Sequence, residues 1–199
     1  MMLRSFVAVE IPTEIQSTIA RAIAPMQKAL PKPLIRWVAP KNVHLTLKFL
    51  GDVSPDNLDR LAEALKSVAL NQETFTFSLG GLGAFPTPRR ARVIWIGLQV
   101  PVALKALLCG IESVAARLGY PPEGRPFSPH LTVGRVGKNV SGTDFQSIRT
   151  AFEGVVVGAL GTIRVDAVHI FKSDLLPGGS VYTNLYTLPM KSTQEQLIS

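Results

Sequence analysis

Two of the three histidines in this chain begin the same tripeptide, His-Leu-Thr. The first copy lies in residues 43–51, V-H-L-T-L-K-F-L-G, and the second in residues 129–135, P-H-L-T-V-G-R. Polar and apolar residues alternate in both segments, which is typical of a strand with one buried face. We therefore predict two strands, each of which presents an imidazole and, two residues further on, a hydroxyl on its polar face.

The predicted polar faces carry side chains that suit displacement at phosphorus. An imidazole titrates near neutral pH, so a facing pair formed by His44 and His130 can hold one neutral and one protonated ring. Such a displacement needs a proton acceptor for the attacking oxygen and a proton donor for the leaving oxygen. Hydroxyls and a cation in the same two segments can hold the non-bridging oxygens. These side chains are Thr46, Thr132, and Lys48 or Arg135.

The direction of Arg135 is left open by the alternation. It follows His130 by five residues, so perfect alternation would aim it away from the cleft. Either Gly134 permits a bulge that re-aims it, or Arg135 reaches round the end of the strand, or Lys48 is the main cation.

Other site chemistries agree less well with the sequence. Zinc needs at least three protein ligands, and neither motif has a carboxylate or thiol within four residues. The third histidine, His169, is expected to be a strand residue with a structural or surface role. No G-x-S-x-G elbow is present for a serine hydrolase. We expect neither a metal nor a cofactor, and the remaining alternative is two strands that each carry an exposed histidine beside a β-favouring threonine.

Composition limits the remaining possibilities. A chain of 199 residues that is 46% hydrophobic can bury a full core, as one domain or as two small lobes. Its net charge of +7 favours a polyanionic partner such as nucleic acid, although a solubilising surface explains the excess equally well. The single cysteine, Cys109, excludes an internal disulfide, and its apolar neighbours predict a packing role. The apolar N-terminal segment ends at Glu10, too short for a signal peptide, so we expect a cytoplasmic protein without a membrane partner.

The remaining segments predict alternating strands and helices. A capping box beginning at Thr13 opens a helix that Pro25 kinks or shortens, Ser54 caps a second helix, Pro101 opens a third, and Thr143 caps a fourth. Further strands are predicted over residues 3–11, 34–38, 74–79, 92–98, 155–157, 162–171 and 181–188. The Gly- and Pro-rich residues 80–90 are predicted to form a long basic loop, which either reaches over the cleft with Phe85 or is a solvated hairpin loop.

This order of elements predicts an α+β protein with two lobes. Each half of the chain pairs a small, mainly antiparallel sheet with two helices, and each half contains one of the His-Leu-Thr strands. We therefore expect one histidine per lobe and a cleft between the lobes. Beyond this tripeptide the two halves do not resemble each other in sequence.

Several segments, taken together, resemble one known family. They are R-S-F-V-A-V-E-I-P near the start, R-W-V-x-P-x-N-V-H-L-T-L-K-F-L-G, G-x-F-P-x-x-R-x-A-R-V-I-W-I-G, P-H-L-T-V-G-R and S-D-L-L-P-G-G-S-V-Y near the end. In matching order they resemble the bacterial and archaeal RNA 2',3'-cyclic phosphodiesterases, also called 2'-5' RNA ligases, of the two-histidine phosphoesterase superfamily.

The resemblance implies hydrolysis of a terminal 2',3'-cyclic phosphate on RNA to a 2'-phosphate, without metal or nucleotide cofactor. It assigns His44 as proton donor to the departing 3'-oxygen and His130 as proton acceptor from water. Thr46 and Thr132 match phosphate-contacting threonines, and Arg135 matches a phosphate-binding arginine. The resemblance also implies a weak, reversible 2'-5' RNA ligase activity.

The resemblance also bears on organisation and partners. It implies one two-lobed phosphoesterase domain over residues 1–199, with a flexible tail from 191 to 199. The expected partner is RNA with a 2',3'-cyclic phosphate end, tRNA halves being one example, and the chain is expected to be a monomer. Two alternatives stay open, namely a phosphodiesterase acting on small cyclic phosphates, such as nucleoside or ADP-ribose derivatives, and an RNA-end-binding module without catalysis. Trp37 and Phe85 are candidates to stack on a terminal base, with core packing the expected fate of Trp37.

Overall fold

A computed structural model describes residues 2–30, 34–124, 126–177 and 179–192 and has the predicted α+β architecture, with nine strands and four helices among these residues. In chain order they are β1 (Leu3–Glu10), α1 (Thr13–Ala29), β2 (Ile35–Trp37), β3 (His44–Val53), α2 (Pro55–Leu70), β4 (Phe75–Phe85), β5 (Val93–Gln99), α3 (Val102–Arg117), β6 (Leu131–Val136), α4 (Gly142–Glu153), β7 (Ala159–Val165), β8 (Ala167–Leu176) and β9 (Gly179–Pro189). Short 3-10 turns cover Pro40–Asn42 and Pro88–Arg90.

The strands form two antiparallel sheets. The first sheet has the order β3-β1-β8-β9, and the second has the order β2-β6-β5-β4-β7. Helices α2 and α3 contact strands of the first sheet, whereas α1 contacts β7 of the second sheet and α4. Each sheet therefore has a pair of helices and one of the two His-Leu-Thr strands, as the sequence predicts.

The lobes are not the two halves of the chain, which corrects the predicted organisation. The first half supplies β3 and α2 to one lobe, but it supplies α1 and the β4–β5 hairpin to the other. The second half does the reverse, because β6 and α4 lie with the second sheet while α3 and the β8–β9 hairpin lie with the first. Each sheet is thus built from both halves, and one continuous cluster of buried apolar residues includes strands of both sheets.

The helix starts agree only partly with the prediction. Ser54 caps α2 by accepting a hydrogen bond from the backbone N–H of Asn57. The predicted caps of α1 and α4 are wrong, because Thr13 is already helical and because Ser141, not Thr143, forms a capping box with Asp144. Helix α1 runs through Pro25 to Ala29 and is not shortened by it.

The third helix starts one residue later than predicted, after Pro101 as its N-cap. The predicted packing role of Cys109 is wrong, since this residue lies exposed on α3. None of the helices in the described part of the chain combines the length and apolar character needed to cross a membrane.

The predicted long loop at residues 80–90 is mostly strand. Gly81 adopts a φ of +77° beside a register shift between Gly80 and Leu82, so the glycine-rich segment continues as β4 to Phe85. Only a short connection containing the Pro88–Arg90 turn then leads to β5. The segment is a bulged strand, which explains its glycines without a mobile lid.

Two further strand predictions change near the C-terminus. Residues 155–157 are not a strand. The predicted strand over residues 162–171 is divided at Asp166, where the chain leaves β7 in the second sheet and enters β8 in the first. One uninterrupted alternating segment therefore serves two sheets.

Lys191, the first residue of the predicted tail, is bonded to the segment between α2 and β4. Lys191 forms a parallel bridge with Glu73, donates its N–H to the Gln72 carbonyl and accepts from the Thr74 N–H. Residues 193–199 of the predicted tail lie outside the described residues.

Gly83 permits the close packing of an aromatic side chain across two strands. It pairs with Trp95 in the β4–β5 ladder, and a Cβ on Gly83 would come within 2.2–2.6 Å of ring atoms of Trp95. That separation is shorter than any carbon–carbon contact permits, so only glycine leaves room for the indole at this place.

We predict that Gly83→Ala displaces Trp95 and lowers the free energy of unfolding by about 1–3 kcal/mol, the usual cost of overpacking a close-packed interior. Denaturant unfolding followed by tryptophan fluorescence measures both effects. Gly124→Ala is the matched control, because a Cβ there meets nothing within 4 Å. Equal stability of the two variants would contradict the packing argument.

Candidate active site in the cleft between the sheets

His44 is the first residue of β3 and is oriented by the turn before it. Its Nδ1 atom lies 2.7 Å from the carbonyl oxygen of Asn42, which closes the Pro40–Asn42 turn. Since a carbonyl can only accept, Nδ1 carries the hydrogen and the Nε2 atom of a neutral ring is left with its lone pair. The backbone thus selects the tautomer that makes Nε2 the proton-accepting atom.

His130 is held in the same way at the start of the other strand. It immediately precedes β6, and its Nδ1 atom lies 2.7 Å from the carbonyl oxygen of Ser128. In both motifs the carbonyl comes from two residues upstream. The two imidazoles therefore have equivalent orientations and an equivalent proton on Nδ1, one in each sheet.

The two motif threonines lie on the same faces as their histidines. Thr46 pairs with Ala8 in the first sheet, and Thr132 pairs with Trp95 in the second. Both threonines are half-buried. Each strand consequently presents an imidazole followed by a hydroxyl, as the alternation predicts.

A bulge directly after Thr132 decides the direction of Arg135. In the β5–β6 ladder Trp95 pairs with Thr132 and Ile94 pairs with Gly134, so Val133 is an extra residue. The extra residue reverses the alternation, and the exposed Arg135 is returned to the face of Thr132. Of the possibilities left open by the sequence, the bulge is the one observed.

The equivalent bulge in β3 has the opposite result for Lys48. Ala8 pairs with Thr46 and Val7 pairs with Lys48, so Leu47 is the extra residue and Lys48 turns toward the buried face. Its side chain is 1% exposed, and its ammonium donates to the Glu112 carboxylate at 2.7 Å and to the Pro121 carbonyl at 3.0 Å. The prediction that Lys48 shares the face of His44 is therefore wrong, and its ammonium lies in an ion pair away from the cleft.

Phe49 takes the place in the first sheet that Arg135 takes in the second. Both follow their motif histidine by five residues and lie beyond the bulge. Phe49 is 56% exposed, and its ring lies 6.3 Å from that of Phe6, which in turn lies 4.7 Å from His44. The position that carries a cation on the second sheet therefore carries an aromatic ring on the first.

Aromatic rings surround both histidines, and most of them were missed by motif reasoning. Tyr182 stands edge-on to His44 with the ring centroids 5.0 Å apart. Phe85 stands edge-on to His130 at 4.9 Å, and Trp95 lies 6.5 Å from the same imidazole. The Nε1–H of Trp95 is buried without a hydrogen-bond partner among the described residues. Phe85 was a sequence candidate, whereas Trp37 packs half-buried against the core as expected.

The electrostatic surroundings couple the two histidines with Arg135. Burial lowers the pKa of His44, the hydrogen bond to the Asn42 carbonyl opposes this, and the nearby charges of Arg135 and His130 lower the pKa further. Burial likewise lowers the pKa of His130, with the Ser128 carbonyl opposing and Arg135 adding to the decrease. One guanidinium thus acts on both imidazoles, and the strands that carry the two motifs, β3 and β6, contact each other.

Arg36 is a second cation on this side and was missed by the sequence analysis. It pairs in register with Arg135 in the β2–β6 ladder, so both residues occupy the same face of the second sheet. Among the described residues neither guanidinium has a carboxylate within 4 Å. Arg36 belongs to the R-W-V segment of a predicted strand, but the sequence does not show that this short strand pairs with β6.

His169 lies on β8 of the first sheet, where it pairs with Ala8 and so shares the face of Thr46 two strands away. Its Nδ1 atom is 3.2 Å from Thr187 Oγ1 and 3.2 Å from Asn184 Nδ2. Burial lowers its pKa, and the carboxylates of Glu10 and Asp166 oppose that decrease. Within the described ranges, no group of three or more His, Cys, Asp or Glu side chains has the arrangement of a metal site.

Comparison with known proteins identifies related chains. A family model described as LigT like Phosphoesterase matches the chain twice, over residues 9–95 and 97–182, so each half has one copy that includes one His-Leu-Thr motif. The RNA 2',3'-cyclic phosphodiesterase of Methanothermobacter thermautotrophicus is 32% identical over 185 residues, which cover 93% of this chain and 97% of the relative.

Solved structures agree with these matches. The crystal structure of Escherichia coli LigT complexed with 3'-AMP is 30% identical and superposes with a TM-score of 0.76 over 96% of this chain and 99% of that chain. The phosphate complex of the same protein, also 30% identical, gives a TM-score of 0.70 over 96% and 98%.

We predict that Lys48→Met destabilises the fold and leaves phosphate binding unchanged. The substitution strips Glu112 of its cation, and we expect a loss of about 2 kcal/mol, less than the roughly 3–5 kcal/mol for a fully buried pair because Glu112 is 24% exposed. Chemical denaturation and the affinity for inorganic phosphate are the measurements. The double variant Lys48→Met/Glu112→Leu should recover stability. Weakened phosphate binding without lost stability would instead make Lys48 a ligand of the anion.

We predict that His44 and His130 titrate below the ordinary histidine pKa of about 6.5 in the free protein, and that Arg135→Gln raises both values. Removing a nearby positive charge makes protonation of each ring easier, so the shift is upward. NMR titration of the imidazole carbon-bound protons measures it. The surface variant Arg149→Gln, whose arginine pairs with Glu153 on α4, should leave both unchanged. Unaltered pKa values in Arg135→Gln would place the guanidinium away from the two rings.

Proposed function

The chain belongs to the LigT-like phosphoesterase family, and from this we propose that it hydrolyses the 2',3'-cyclic phosphate at the end of an RNA to a 2'-phosphate. The observation that carries the proposal is the matched pair of imidazoles. Each has its Nδ1 hydrogen bonded to a carbonyl two residues upstream, and Arg135 acts electrostatically on both. The M. thermautotrophicus relative is named for this reaction.

The proposed reaction uses the two rings in opposite protonation states. Neutral His130 takes a proton from water through Nε2 as the water oxygen attacks phosphorus, while protonated His44 gives its Nε2 proton to the departing 3'-oxygen. The P–O bond to the 3'-oxygen breaks, and the product is a 2'-phosphate with a free 3'-hydroxyl. The choice of which histidine is the acid rests on the family resemblance, because the two rings form equivalent hydrogen bonds to backbone carbonyls.

The second sheet supplies the positive charge that binds the phosphate. The guanidinium of Arg135 offers paired donors to the non-bridging oxygens, and the hydroxyls of Thr46 and Thr132 can donate to them from either side. These groups stabilise negative charge as it develops in the transition state. All steps are assigned to side chains of this chain, and we propose that no metal or cofactor takes part.

The same pair of histidines can also serve ligation. If the 5'-hydroxyl of another RNA takes the place of water, His130 accepts its proton, His44 protonates the departing 3'-oxygen, and a 2'-5' linkage forms. We propose that this ligase activity is weak, because water is present at far higher concentration than an RNA end.

The natural substrate is proposed to be an RNA end rather than a small cyclic phosphate. Arg36 beside Arg135 extends the cationic surface beyond what one phosphate needs, and the net charge of +7 favours a polyanion. Cleaved tRNA halves would supply such ends in the cytoplasm. Comparing turnover of an oligonucleotide that ends in a cyclic phosphate with that of the matching cyclic mononucleotide tests the choice, since equal kcat/KM would favour the small substrate.

We predict that His44→Ala and His130→Ala each lower kcat by at least about a hundredfold, because general acid and general base catalysis each contribute this much. The assay is release of a 2'-phosphate from an RNA with a 2',3'-cyclic end, with the product identified by mass spectrometry and phosphatase sensitivity. The surface variant Arg149→Gln on α4 is the control and should retain activity. EDTA should leave the rate unchanged, and a rate lost in EDTA and restored by a divalent metal would refute the mechanism.

The roles of the two histidines can be separated with a substrate that has sulfur in place of the 3'-oxygen. A thiolate leaves without being protonated, so this substrate should restore turnover in His44→Ala and not in His130→Ala. Recovery in His130→Ala alone would exchange the assignments. The pH profile of kcat/KM should be bell-shaped with its maximum below pH 6.5, since both rings have lowered pKa values in the free protein.

A further inference from the structure

A small pocket of about 230 Å³ opens directly beside His44 on the cleft face of the first sheet. Its walls include Phe6, Glu10, His44, Phe171, Tyr182 and Asn184. Resting on the proposed function, we propose that this pocket binds the nucleobase of the nucleotide that carries the cyclic phosphate, and that it favours a base with an exocyclic amino group over one with a carbonyl at the same position.

The floor of the pocket consists of buried aromatic rings. Phe6 stacks on Phe171 with the ring centroids 5.5 Å apart and the planes 18° from parallel, and both residues are buried. Tyr182 stands edge-on to Phe6 at 5.1 Å and is half-buried, so part of its ring remains open to a ligand. Any nucleobase can stack on such side chains, because every base has a planar aromatic face. The volume is below the roughly 300–1,000 Å³ of pockets for drug-sized ligands, which suits a single base.

The two charged residues that line the pocket have opposite charges, so the pocket attracts a phosphate less than the second sheet does. Glu10, which pairs with His44 in the β1–β3 ladder, contributes a carboxylate, and Lys41 contributes an ammonium. A carboxylate repels an anion, whereas it accepts hydrogen bonds from the N–H groups of a base. The cations Arg135 and Arg36 lie on the other sheet. The phosphate and the base therefore have separate places on the two sides of His44.

Asn184 supplies an oriented acceptor at the rim. Its Nδ2 donates to Thr187 Oγ1 at 3.0 Å and to His169 Nδ1 at 3.2 Å, which fixes the direction of the amide. Within the described ranges no donor is bonded to its Oδ1 atom, so this oxygen is available to a ligand. The amino group of cytosine is a donor at the position where uracil has a carbonyl oxygen. A fixed acceptor here therefore distinguishes the two pyrimidines.

The entrance to the pocket is held in place by the turn that also orients His44. Asn42 Nδ2 donates to the Ser180 carbonyl at 2.6 Å, which ties the Pro40–Asn42 turn to the start of β9. The carbonyl of the same Asn42 accepts from His44 Nδ1. One residue thus fixes both the catalytic imidazole and the rim, so a base in the pocket has a defined position relative to the reacting phosphorus.

The test compares cytidine and uridine 2',3'-cyclic phosphates, which have nearly the same size and stacking surface. We expect wild-type kcat/KM to be roughly five- to tenfold higher for cytidine, about what one hydrogen bond contributes. Asn184→Leu should abolish the preference and leave the inhibition constant of inorganic phosphate unchanged. Tyr182→Leu should raise KM for both nucleotides, again without affecting inorganic phosphate.

Thr183→Val is the matched control, because Thr183 pairs with Lys172 and lies on the opposite face of β9. It should keep the wild-type preference. Equal kcat/KM for the two nucleotides in the wild type would overturn the base pocket while leaving the phosphodiesterase reaction intact. The base pocket would also be overturned if Asn184→Leu weakened inhibition by inorganic phosphate as much as it lowered kcat/KM for the cytidine nucleotide.

Binding of cytidine and uridine 3'-monophosphates by calorimetry tests the pocket without turnover. We expect tighter binding of the cytidine nucleotide in the wild type and equal binding in Asn184→Leu. If neither cyclic nucleotide nor a cyclic-ended RNA is hydrolysed, the proposed function fails. The calorimetric comparison then still decides the pocket, since equal affinities in the wild type would refute it and unequal affinities would support it.

Discussion

A single extra residue in each histidine strand determines which side chains face the cleft. The strand period of two would place Lys48 beside His44 and turn Arg135 away from His130. The bulges at Leu47 and Val133 reverse both directions, so the lysine enters an ion pair with Glu112 and the arginine acts on both imidazoles. The placement of charge in the cleft therefore depends on register as much as on residue type.

Much of the fold could be predicted from the sequence, because strand alternation and helix-breaking residues are local signals. The two His-Leu-Thr strands, the shared face of each histidine and its threonine, and all four helices were found in this way. The bulges could not be predicted, since an extra residue is defined only by the neighbouring strand with which it pairs. The β4 extension was missed for a related reason, because glycines that usually indicate a loop here accommodate a bulge and the ring of Trp95.

The two motifs are nearly identical, yet their surroundings differ. The histidine of the first sheet lies among Phe6 and Tyr182, with Glu10 beside it, while that of the second lies near Phe85 with Arg135 on the same face. The hydrogen bonds to backbone carbonyls give the two rings the same tautomer, so any difference in their chemistry must come from these neighbours. The duplicated motif supplies the proton-transfer groups, and the divergent surroundings distinguish one side of the cleft from the other.

The exchange of elements between the two halves has a consequence for synthesis of the chain. Among the described residues, β3 pairs only with β1 in its sheet, and β1 is completed on its other side by β8, which lies more than a hundred residues further along. Such long-range pairing forms slowly and late. His44 therefore cannot acquire its finished surroundings until β8 and β9 have emerged from the ribosome, so a nascent chain that ends before them has no assembled centre with which to act on RNA.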